Sequence, residues 1–421
     1  MLSTFEMELA GEFKAKNALR HIEALAGIGD RFIGTVGDEK AITYVEQEFR
    51  KYGLEIVRTP IEVPSFEDRG ARIKIIATGE QIEAIPAYFS PATPAGGIAA
   101  EMVFVNGGEE EDYRSLDVRG KIVLLSEEGL GYSRFWLGTF ARLAAQRGAL
   151  GMIIIHPMPW SYRMSMEAGN SKIESRFLPE QLPAVCVSAI DGLRLMRAMG
   201  SGAAMIHYQS NTVVERRKSY VVSGLFRGTE LPQERVGILA HRDNGFPPGA
   251  NDNGSGTGTM LELVRVLTRH RYRRTIEFIS STSEEGVTQG IYEYIQQHKE
   301  DLQKNMKALF DLDMFGVGGR LNLVDLGYWP DSKPIKHDEE LMQMIESIAD
   351  DFGYYVGRMT ASWGVAESGR FLEIGVPAVW FWRADDPYYH SRHDTADKID
   401  GNALKAVGDL TAVAAARVLN R

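Results

Sequence analysis

The spacing of hydrophobic residues divides the chain into three stretches of different texture. Residues 8–30 and 37–53 show the period of amphipathic helices, and Gly53 is a residue type that often follows a helix end. From 71 to 212 the chain is rich in short apolar runs such as ARIKIIA, IAAEMVFV and GMIIIH, which are typical of strands. From Tyr220 onward, apolar strands alternate with helical segments.

The alternation in the third stretch predicts an α/β fold. Helical crossovers between successive apolar strands build a mostly parallel central sheet with helices on both faces. The simplest organisation is one α/β domain formed by residues 1–70 and 213–421, into which a smaller β-rich domain, residues 71–212, is inserted. Within the insertion, residues 157–183 have no steady period and are long for a loop, as is typical of lids over functional sites.

Composition and charge narrow the classes of function. The 421 residues are 44% hydrophobic and 25% charged, which is an ordinary globular balance. A formal net charge of −10 disfavours nucleic-acid binding, because phosphate contacts need concentrated Lys and Arg. No run approaches the roughly 20 apolar residues of a membrane span, and the first residues do not resemble a secretory signal. The sequence therefore predicts a cytoplasmic protein without nucleic-acid or membrane partners.

Polar side chains suited to metal binding follow four of the predicted strands. The turn HRDNGFPPGANDNGSG, from His241 to Gly256, carries more of them than a turn requires. Because ligands of open α/β sheets bind at the carboxyl ends of the strands, we expect these side chains to converge. They are His241, Asp243 and Asp252 after VGILA, Glu284 and Glu285 after TIEFISSTS, Asp313 at the end of KALFDLD, and His390 after AVWFWRADDPYY.

Such a set of imidazoles and carboxylates can hold two divalent metal ions. Nitrogen and oxygen ligands without thiolate favour zinc, with cobalt or manganese as substitutes. Two ions roughly 3.5–4 Å apart would clamp an attacking water and polarise a carbonyl. The adjacent Glu284 and Glu285 suit a division of labour, in which one binds metal and the other takes a proton from the water.

Each of these residues, taken alone, also has an ordinary structural role open to it. Glu284 and Glu285 could form the first turn of a helix, where acids favour the helix dipole. Asp252 could cap a helix, Asp313 could end a strand in a turn, and His390 could lie on the surface. Their joint placement at successive strand ends is what favours the metal site.

The same segments resemble the signatures of the two-zinc exopeptidases that include aminopeptidase Y, plasma glutamate carboxypeptidase and glutamate carboxypeptidase II. AHRDNGFPPGANDNGSG resembles their His-x-Asp and Gly-Ala-x-Asp-Asn-x-Ser-Gly motifs, and FISSTSEEGVTQG resembles their glutamate pair. FDLDMFG and YYHSRHDTADKID resemble the later aspartate and histidine motifs. VRGKIVLLS, AQRGALGMIIIH and LPAVCVSAIDGLRLM resemble a protease-associated domain, so the similarity covers almost the whole chain in order.

The resemblance implies a zinc exopeptidase-like fold that holds two Zn²⁺ per chain. His241 and Asp313 would bind one zinc, and Glu285 and His390 would bind the other. Asp252 would bridge both ions.

It also implies roles for residues around the metals. Glu284 would be the general base, and Asp243 would orient His241 through its second ring nitrogen. Tyr389 would bring a phenol near the substrate carbonyl, although a packed aromatic side chain is the ordinary alternative. The peptide bond between Asp252 and Asn253 is expected to be cis, as is common in this family.

Two features depart from the family pattern. Ala366, Glu367 and Ser368 stand where relatives often show Ser-Asp-His, and those positions tend to line the substrate pocket, so specificity is left open. Arg242 stands inside the His-x-Asp motif, and we expect it to point to solvent.

The function implied is hydrolysis of terminal peptide bonds by metal-activated water, with an aminopeptidase favoured. A carboxypeptidase or dipeptidase on the same site stays open and would need a cation for the terminal carboxylate. The candidates are Arg163, Arg370, Arg383 and Arg392, each of which could instead make a structural or solvated ion pair.

Two other classes are weighed against the peptidase. A glutaminyl-cyclase-like transferase would have one zinc and no inserted domain, and a catalytically dead binding protein would have lost ligands. The complete ligand set argues against both. Family members often dimerise, so a homodimer is also open.

Overall fold

The computed structural model describes residues 1–126, 138–163, 182–200, 204–328, 334–361 and 364–421, and the chain forms two compact units. Unit 1 contains residues 1–63, 217–328 and the described residues from 334 to 421. Unit 2 contains the described residues between Pro64 and Arg216, whereas the division expected from the sequence placed the insertion at 71–212.

The helices are α1 (Thr4–Glu12), α2 (Ala15–Ala26), α3 (Val36–Lys51), α4 (Gly138–Gln146), α5 (Ala189–Gly200), α6 (Gly256–Leu267), α7 (Gln289–Asn305), α8 (Glu339–Phe352), α9 (Ser368–Glu373) and α10 (Gly401–Asn420). The strands are β1 (Glu55–Ile75), β2 (Gln81–Pro86), β3 (Ile98–Phe104), β4 (Ile122–Ser126), β5 (Gly151–Ile155), β6 (Ala184–Val187), β7 (Met205–Phe226), β8 (Leu231–His241), β9 (Arg274–Ser281), β10 (Met306–Leu312), β11 (Asn322–Gly327), β12 (Ile335–Lys336), β13 (Gly357–Ala361) and β14 (Ala378–Trp382). Among the described residues, no helix has the length and apolar character needed to cross a bilayer.

The sheet of unit 1 runs in the order β7, β9, β8, β10, β14, β11, with β12 and β13 beside β11. The four central strands, β9, β8, β10 and β14, are parallel to one another, and the flanking β7 and β11 pair antiparallel to them. Central strands of this kind, buried on both faces, need the near-continuous apolar runs seen in the sequence. The predicted α/β fold with a mostly parallel central sheet is confirmed.

The main core of unit 1 lies between the sheet and α2, α6, α8 and α10. Phe310 of β10 belongs to this core, while the next residue, Asp311, accepts a hydrogen bond from the Ser368 backbone of α9. Successive strand residues point to opposite faces, so α9 lies on the face away from the core. The close packing needs Gly408 in α10, because a Cβ there would come within 2.4–2.5 Å of the Phe13 ring.

Unit 2 is β-rich, as the sequence predicts. Its strands follow the order β1, β2, β6, β5, β4, β3, β7, with β3, β4, β5 and β6 parallel to one another. The core contains apolar side chains from each of these strands, among them Ile73 of β1, Leu124 of β4, Ile153 of β5 and Val185 of β6. The segment RFWLGTFARLAAQRGA before GMIIIH has a helical pattern in the sequence; its residues 138–146 form α4, and residues 134–137 lie outside the described residues.

Arg31 is a fully buried cation that organises the connection following β8. Its guanidinium donates hydrogen bonds to backbone carbonyls, which belong to Leu25, Arg242, Pro248 and Gly249. Because three of these carbonyls lie between His241 and Asp252, the Arg31 side chain sets the path of the chain between those residues.

Arg242 is also fully buried, so the expectation that it points to solvent is wrong. The guanidinium donates to the Oδ1 atom of Asp38 from Nε at 3.1 Å and from a terminal nitrogen at 2.9 Å. The residue after His241 points to the opposite side of the strand, where the first turn of α3 supplies the carboxylate. The guanidinium also donates to the carbonyls of Tyr220, Ser280 and Ser281.

We expect Arg242→Met to lower the free energy of unfolding by about 3–5 kcal/mol, because it leaves Asp38 buried without its cation. Urea unfolding with a chelator present, which excludes any contribution from bound metal, measures the change. Arg227→Met is the control: Arg227 pairs with Glu55 at 2.8 Å, but both side chains are about half exposed. That surface pair should contribute no more than about 1 kcal/mol, and equal small effects of the two variants would contradict the prediction.

Candidate metal centre

The carboxyl ends of four adjacent strands bring the predicted ligands together. His241 is the last residue of β8, and Asp313 directly follows β10. Glu285 lies in the loop after β9, and His390 lies in the loop after β14. Because β9, β8, β10 and β14 are consecutive and parallel, these segments leave the sheet at one edge.

One group of possible ligands consists of His241, Asp252 and Asp313, all buried. The Nε2 atom of His241 lies 3.5 Å from Oδ1 of Asp252 and 3.3 Å from Oδ1 of Asp313. A second buried group consists of Asp252, Glu285 and His390. Here Nε2 of His390 lies 3.2 Å from Oδ2 of Asp252 and 2.9 Å from Oε2 of Glu285.

These distances and donor types fit two divalent metal ions. Zinc bonds of about 2.0–2.1 Å at tetrahedral angles separate neighbouring ligand atoms by about 3.3 Å, close to the 2.9–3.5 Å observed here. The two oxygens of Asp252 face different histidines, as a bridging carboxylate must. The Oε1 atom of Glu285 is buried and has no hydrogen-bond partner among the described residues, which leaves it available to a cation.

Asp394 holds the backbone of the shared ligand. Its carboxylate accepts the backbone N–H of Asn251 at 2.7 Å and of Asp252 at 3.0 Å. The peptide bond between Asp252 and Asn253 is cis, as the resemblance implies. Asp394 lies four residues after His390, so this one carboxylate links the segments that supply Asp252 and His390.

Asp243 faces three of the functional residues, His241, Glu284 and Glu285. Its Oδ1 atom lies 3.3 Å from Nδ1 of His241, the position expected of a group that orients this ring. Its two oxygens also face the backbone N–H groups of Glu284 and Glu285, at 3.4 and 3.3 Å. The second contact was not foreseen from the sequence.

Burial dominates the electrostatics of the cluster. It raises the pKa of Asp252 and of Glu285 above the usual range; neighbouring carboxylates add to the shift, and His390 and His241 oppose it. Burial alone would lower the pKa of His390, but Glu285 and Asp252 raise it to about 10. The cluster therefore favours bound positive charge, which protons or divalent cations can provide.

Glu284 is half-buried beside the ligands. Burial raises the pKa of its carboxyl well above the usual range, and Asp313, Glu285 and Glu367 add to the shift. A carboxylate with a raised pKa is suited to accept and return a proton. Positive charge at the ligand groups would counter part of this shift.

Glu367 is a buried acid whose place the sequence did not reveal. Its Oε2 atom accepts a hydrogen bond from the Ser281 hydroxyl at the end of β9. Burial raises the pKa of Glu367 well above the usual range. In the sequence, Ala366-Glu367-Ser368 in place of Ser-Asp-His draws attention to this position. It does not indicate which residues the Glu367 side chain contacts.

Tyr389 packs as an aromatic side chain. Its ring stacks on the ring of His390 with 3.8 Å between centroids. It is partly buried against an apolar cluster that contains Met314, Trp380 and Trp382. A contact between the phenol and a substrate stays a prediction.

The candidate arginines have protein partners where their contacts are described. Arg370 is buried and donates to Thr288 and Glu373. Arg383 donates to Asp400 and to the carbonyls of Gly318 and Gly319. Arg392 is exposed.

Arg163 belongs to unit 2, where it pairs with Asp68 and lies over the rings of Phe66 and Tyr88. Most of the predicted lid, residues 164–181, lies outside the described residues.

Comparisons with known proteins agree with these features. Residues 221–415 match the model of peptidase family M28, and residues 92–195 match the PA domain. Aminopeptidase YwaD of Bacillus subtilis (strain 168) is 26% identical over 98% of this chain and 86% of its own length. Carboxypeptidase Q of Homo sapiens is 26% identical over 97% of this chain and 86% of its own length.

Solved structures show the same fold. BSAP, a zinc aminopeptidase from Bacillus subtilis, matches with a TM-score of 0.78 at 24% identity, covering 97% of this chain and 96% of its own. A peptidase M28 precursor from Shewanella amazonensis SB2B matches with a TM-score of 0.81 at 21% identity, covering 99% and 96%. The predicted relationship to two-zinc exopeptidases and the inserted protease-associated domain are confirmed.

We expect Asp252→Ala to abolish stable binding of both metal ions, because the two groups share this residue. Wild-type protein should hold two zinc ions per chain by elemental analysis and gain stability from zinc, about 2.7 kcal/mol at one hundred times the dissociation constant. The variant should lose both properties. Asp350→Ala, on the exposed face of α8, is the control and should behave as wild type. If the Asp252→Ala protein still bound two ions, Asp252 would be excluded as the shared ligand.

Proposed function

The chain belongs to peptidase family M28 and carries an inserted PA domain, and on this basis we propose that it is a two-zinc exopeptidase that acts as an aminopeptidase on peptides with a free amino end. The main support for this proposal is the arrangement of ligands around Asp252. The two oxygens of Asp252 face two histidines, with Asp313 and Glu285 completing the two ligand groups. In this assignment His241, Asp252 and Asp313 hold one zinc, and Asp252, Glu285 and His390 hold the other.

The choice of an aminopeptidase rests on charge. Beyond the metal ligands themselves, the described surroundings contain further acidic side chains, those of Glu284 and Glu367. A carboxylate-rich site attracts the α-ammonium group of a peptide and repels its terminal carboxylate. Of the four candidates for holding a carboxylate, Arg163, Arg370 and Arg383 already contact acceptors within the protein, and Arg392 is exposed.

The residues of the chain supply binding and proton transfer. Bound zinc ions would lower the pKa of the attacking water and polarise the peptide carbonyl. Glu284 accepts the proton of that water and delivers it to the leaving nitrogen. Asp243 keeps the His241 ring and the backbone of Glu284 in place while this happens. Tyr389 is proposed to donate its phenol hydrogen to the substrate carbonyl oxygen.

Relatives named carboxypeptidase Q keep a second activity open, namely cleavage from the carboxyl end. It would use the same metals and the same base, with a cation at the far end of the substrate. Four statements remain predictions from the sequence. They are the location in the cytoplasm, the lack of nucleic-acid and membrane partners, the homodimer, and the domain limits at 71 and 212.

We expect Glu284→Gln to lower kcat by about 100- to 10,000-fold, because the amide cannot take up the proton. The assay uses leucine and alanine p-nitroanilides, free dipeptides and N-blocked peptides with zinc or cobalt added. Glu300→Gln, on the exposed side of α7, is the control and should retain wild-type rates. Both Glu284→Gln and wild type should hold two metal ions.

The substrate panel separates the alternatives. Cleavage of the anilides establishes an aminopeptidase, whereas cleavage of N-blocked peptides alone establishes a carboxypeptidase. Full activity of Glu284→Gln would exclude this residue as the base, and a wild-type protein without bound metal or activity would overturn the peptidase proposal.

Tyr389→Phe should lower kcat by roughly 10- to 100-fold with KM little changed, because the phenol is proposed to act on the developing oxyanion. Tyr388→Phe is the matched control, since that neighbouring ring instead lies near Lys398. An unchanged kcat for Tyr389→Phe would assign the ring to packing alone.

A further inference from the structure

The loop that carries Glu284 and Glu285 has an unusual backbone. Ser283, Val287 and Thr288 all have positive φ angles, of 60°, 62° and 58°. β-branched residues such as Val287 and Thr288 rarely adopt this conformation. Residues strained in this way persist only where the surroundings hold them. Something outside the loop must therefore maintain its shape.

Thr288 is the residue through which the loop joins α7. Its backbone N–H donates to the carbonyl of Glu284 at 2.8 Å, and its own carbonyl accepts the N–H of Tyr292 at 3.0 Å. The hydroxyl donates to the carbonyl of Val287 at 2.7 Å. A shift of Thr288 would thus be passed directly to the backbone of Glu284.

Arg370 contacts this residue from α9. The side chain is buried, and its Nε atom donates to the hydroxyl oxygen of Thr288 at 2.9 Å. A terminal nitrogen lies 3.2 Å from a carboxylate oxygen of Glu373, and the guanidinium lies 5.8 Å from the centre of the Tyr292 ring. These contacts give the Arg370 head a defined orientation toward the loop.

The helix that bears Arg370 is itself fixed to the sheet. The backbone N–H of Ser368, the first residue of α9, donates to Oδ2 of Asp311 at 2.7 Å. Asp311 belongs to β10, the strand that leads to Asp313. The connection from Asp311 through α9 and Arg370 to Thr288 therefore links the strand of one metal ligand to the loop of another.

From these contacts we propose that Arg370 is a positioning residue for Glu284 and Glu285, acting through the hydroxyl of Thr288. The inference rests on the proposed function, in which Glu284 is the base and Glu285 a metal ligand. Arg370 does not touch the substrate in this assignment. Its part is to hold two adjacent carboxylates in the different orientations that their different roles need.

The kinetic test compares Arg370→Met, Thr288→Val and the double variant on the substrate that wild type cleaves. Arg370→Met should lower kcat by about 10- to 100-fold with little change in KM, because small displacements of a reacting group are costly. Thr288→Val keeps the shape of the side chain but removes the acceptor, so it should have a similar effect. The double variant should be no worse than either single variant, since both remove the same contact.

Two further variants separate positioning from general stability. Arg370→Lys retains a donor in the same place and should recover part of kcat. Arg358→Met is the matched control, because it removes an arginine of β13 that pairs with Glu346 and Glu339 of α8. It should lower the melting temperature without lowering kcat.

A metal titration provides a readout that does not need turnover. With a competing chelator present, Arg370→Met should weaken zinc binding at one of the two sites by about tenfold, as loss of outer contacts typically does. At saturating zinc the variant should still hold two ions. If wild type binds two zinc ions but cleaves no peptide, the proposed function fails while this measurement still tests the positioning role.

Three results would overturn the inference. A raised KM with unchanged kcat would show that Arg370 binds substrate. Additive losses in the double variant would show that Arg370 and Thr288 act independently. Loss of melting temperature with unchanged kcat and unchanged zinc affinity would leave Arg370 a purely structural residue.

Discussion

The burial of several neighbouring carboxylates is the constraint on which this site depends. The acidic ligands and their neighbours are buried within one small region, and burial raises the pKa of Asp252 and Glu285. Buried charges persist only when they are paired, hydrogen-bonded or bound to metal. Bound metal ions would meet part of this need, and the protein itself supplies backbone N–H groups and the nearby cation of Arg31. Burial lowers the pKa of Arg31 to about 10, and the charges of Asp394, Asp243 and Asp252 oppose that shift, so the guanidinium remains a cation.

The hydrogen bonds of the site follow a common plan. In each case a carboxylate that is not itself assigned to a metal accepts the backbone N–H of a metal ligand or of the proposed base. Asp394 accepts from Asp252, and Asp243 faces the N–H groups of Glu284 and Glu285. Such contacts fix where a ligand's main chain lies, so the side chain needs only a short reach to the metal. The same plan extends to Asp311, which fixes the start of α9.

The parts of the structure that could be predicted from sequence are those with local causes. Apolar runs alternating with helices imply a parallel sheet, and a parallel sheet brings residues such as His241 to one edge whatever the details of packing. Arg242 was placed wrongly because its environment depends on Asp38, a residue 204 positions away that no local pattern connects to it. The position of Glu367 escaped prediction for the same reason, since it contacts a strand end that is distant along the chain. Asp394 lies within the histidine motif, four residues after His390, so the sequence does place it near the site. Nothing in that spacing indicates that its carboxylate accepts the backbone N–H of the metal ligand Asp252.

The two oxygens of Asp252, each turned toward a different histidine, have a thermodynamic consequence. An ion at one position orders this carboxylate for the other, while the charge of the first ion opposes the arrival of the second. The two occupancies are therefore coupled, and linkage requires the coupling to be reciprocal: whatever factor the first ion imposes on the second, the second imposes on the first. The affinity of either position is thus not a property of its own ligands alone, and its measured value depends on the state of its neighbour.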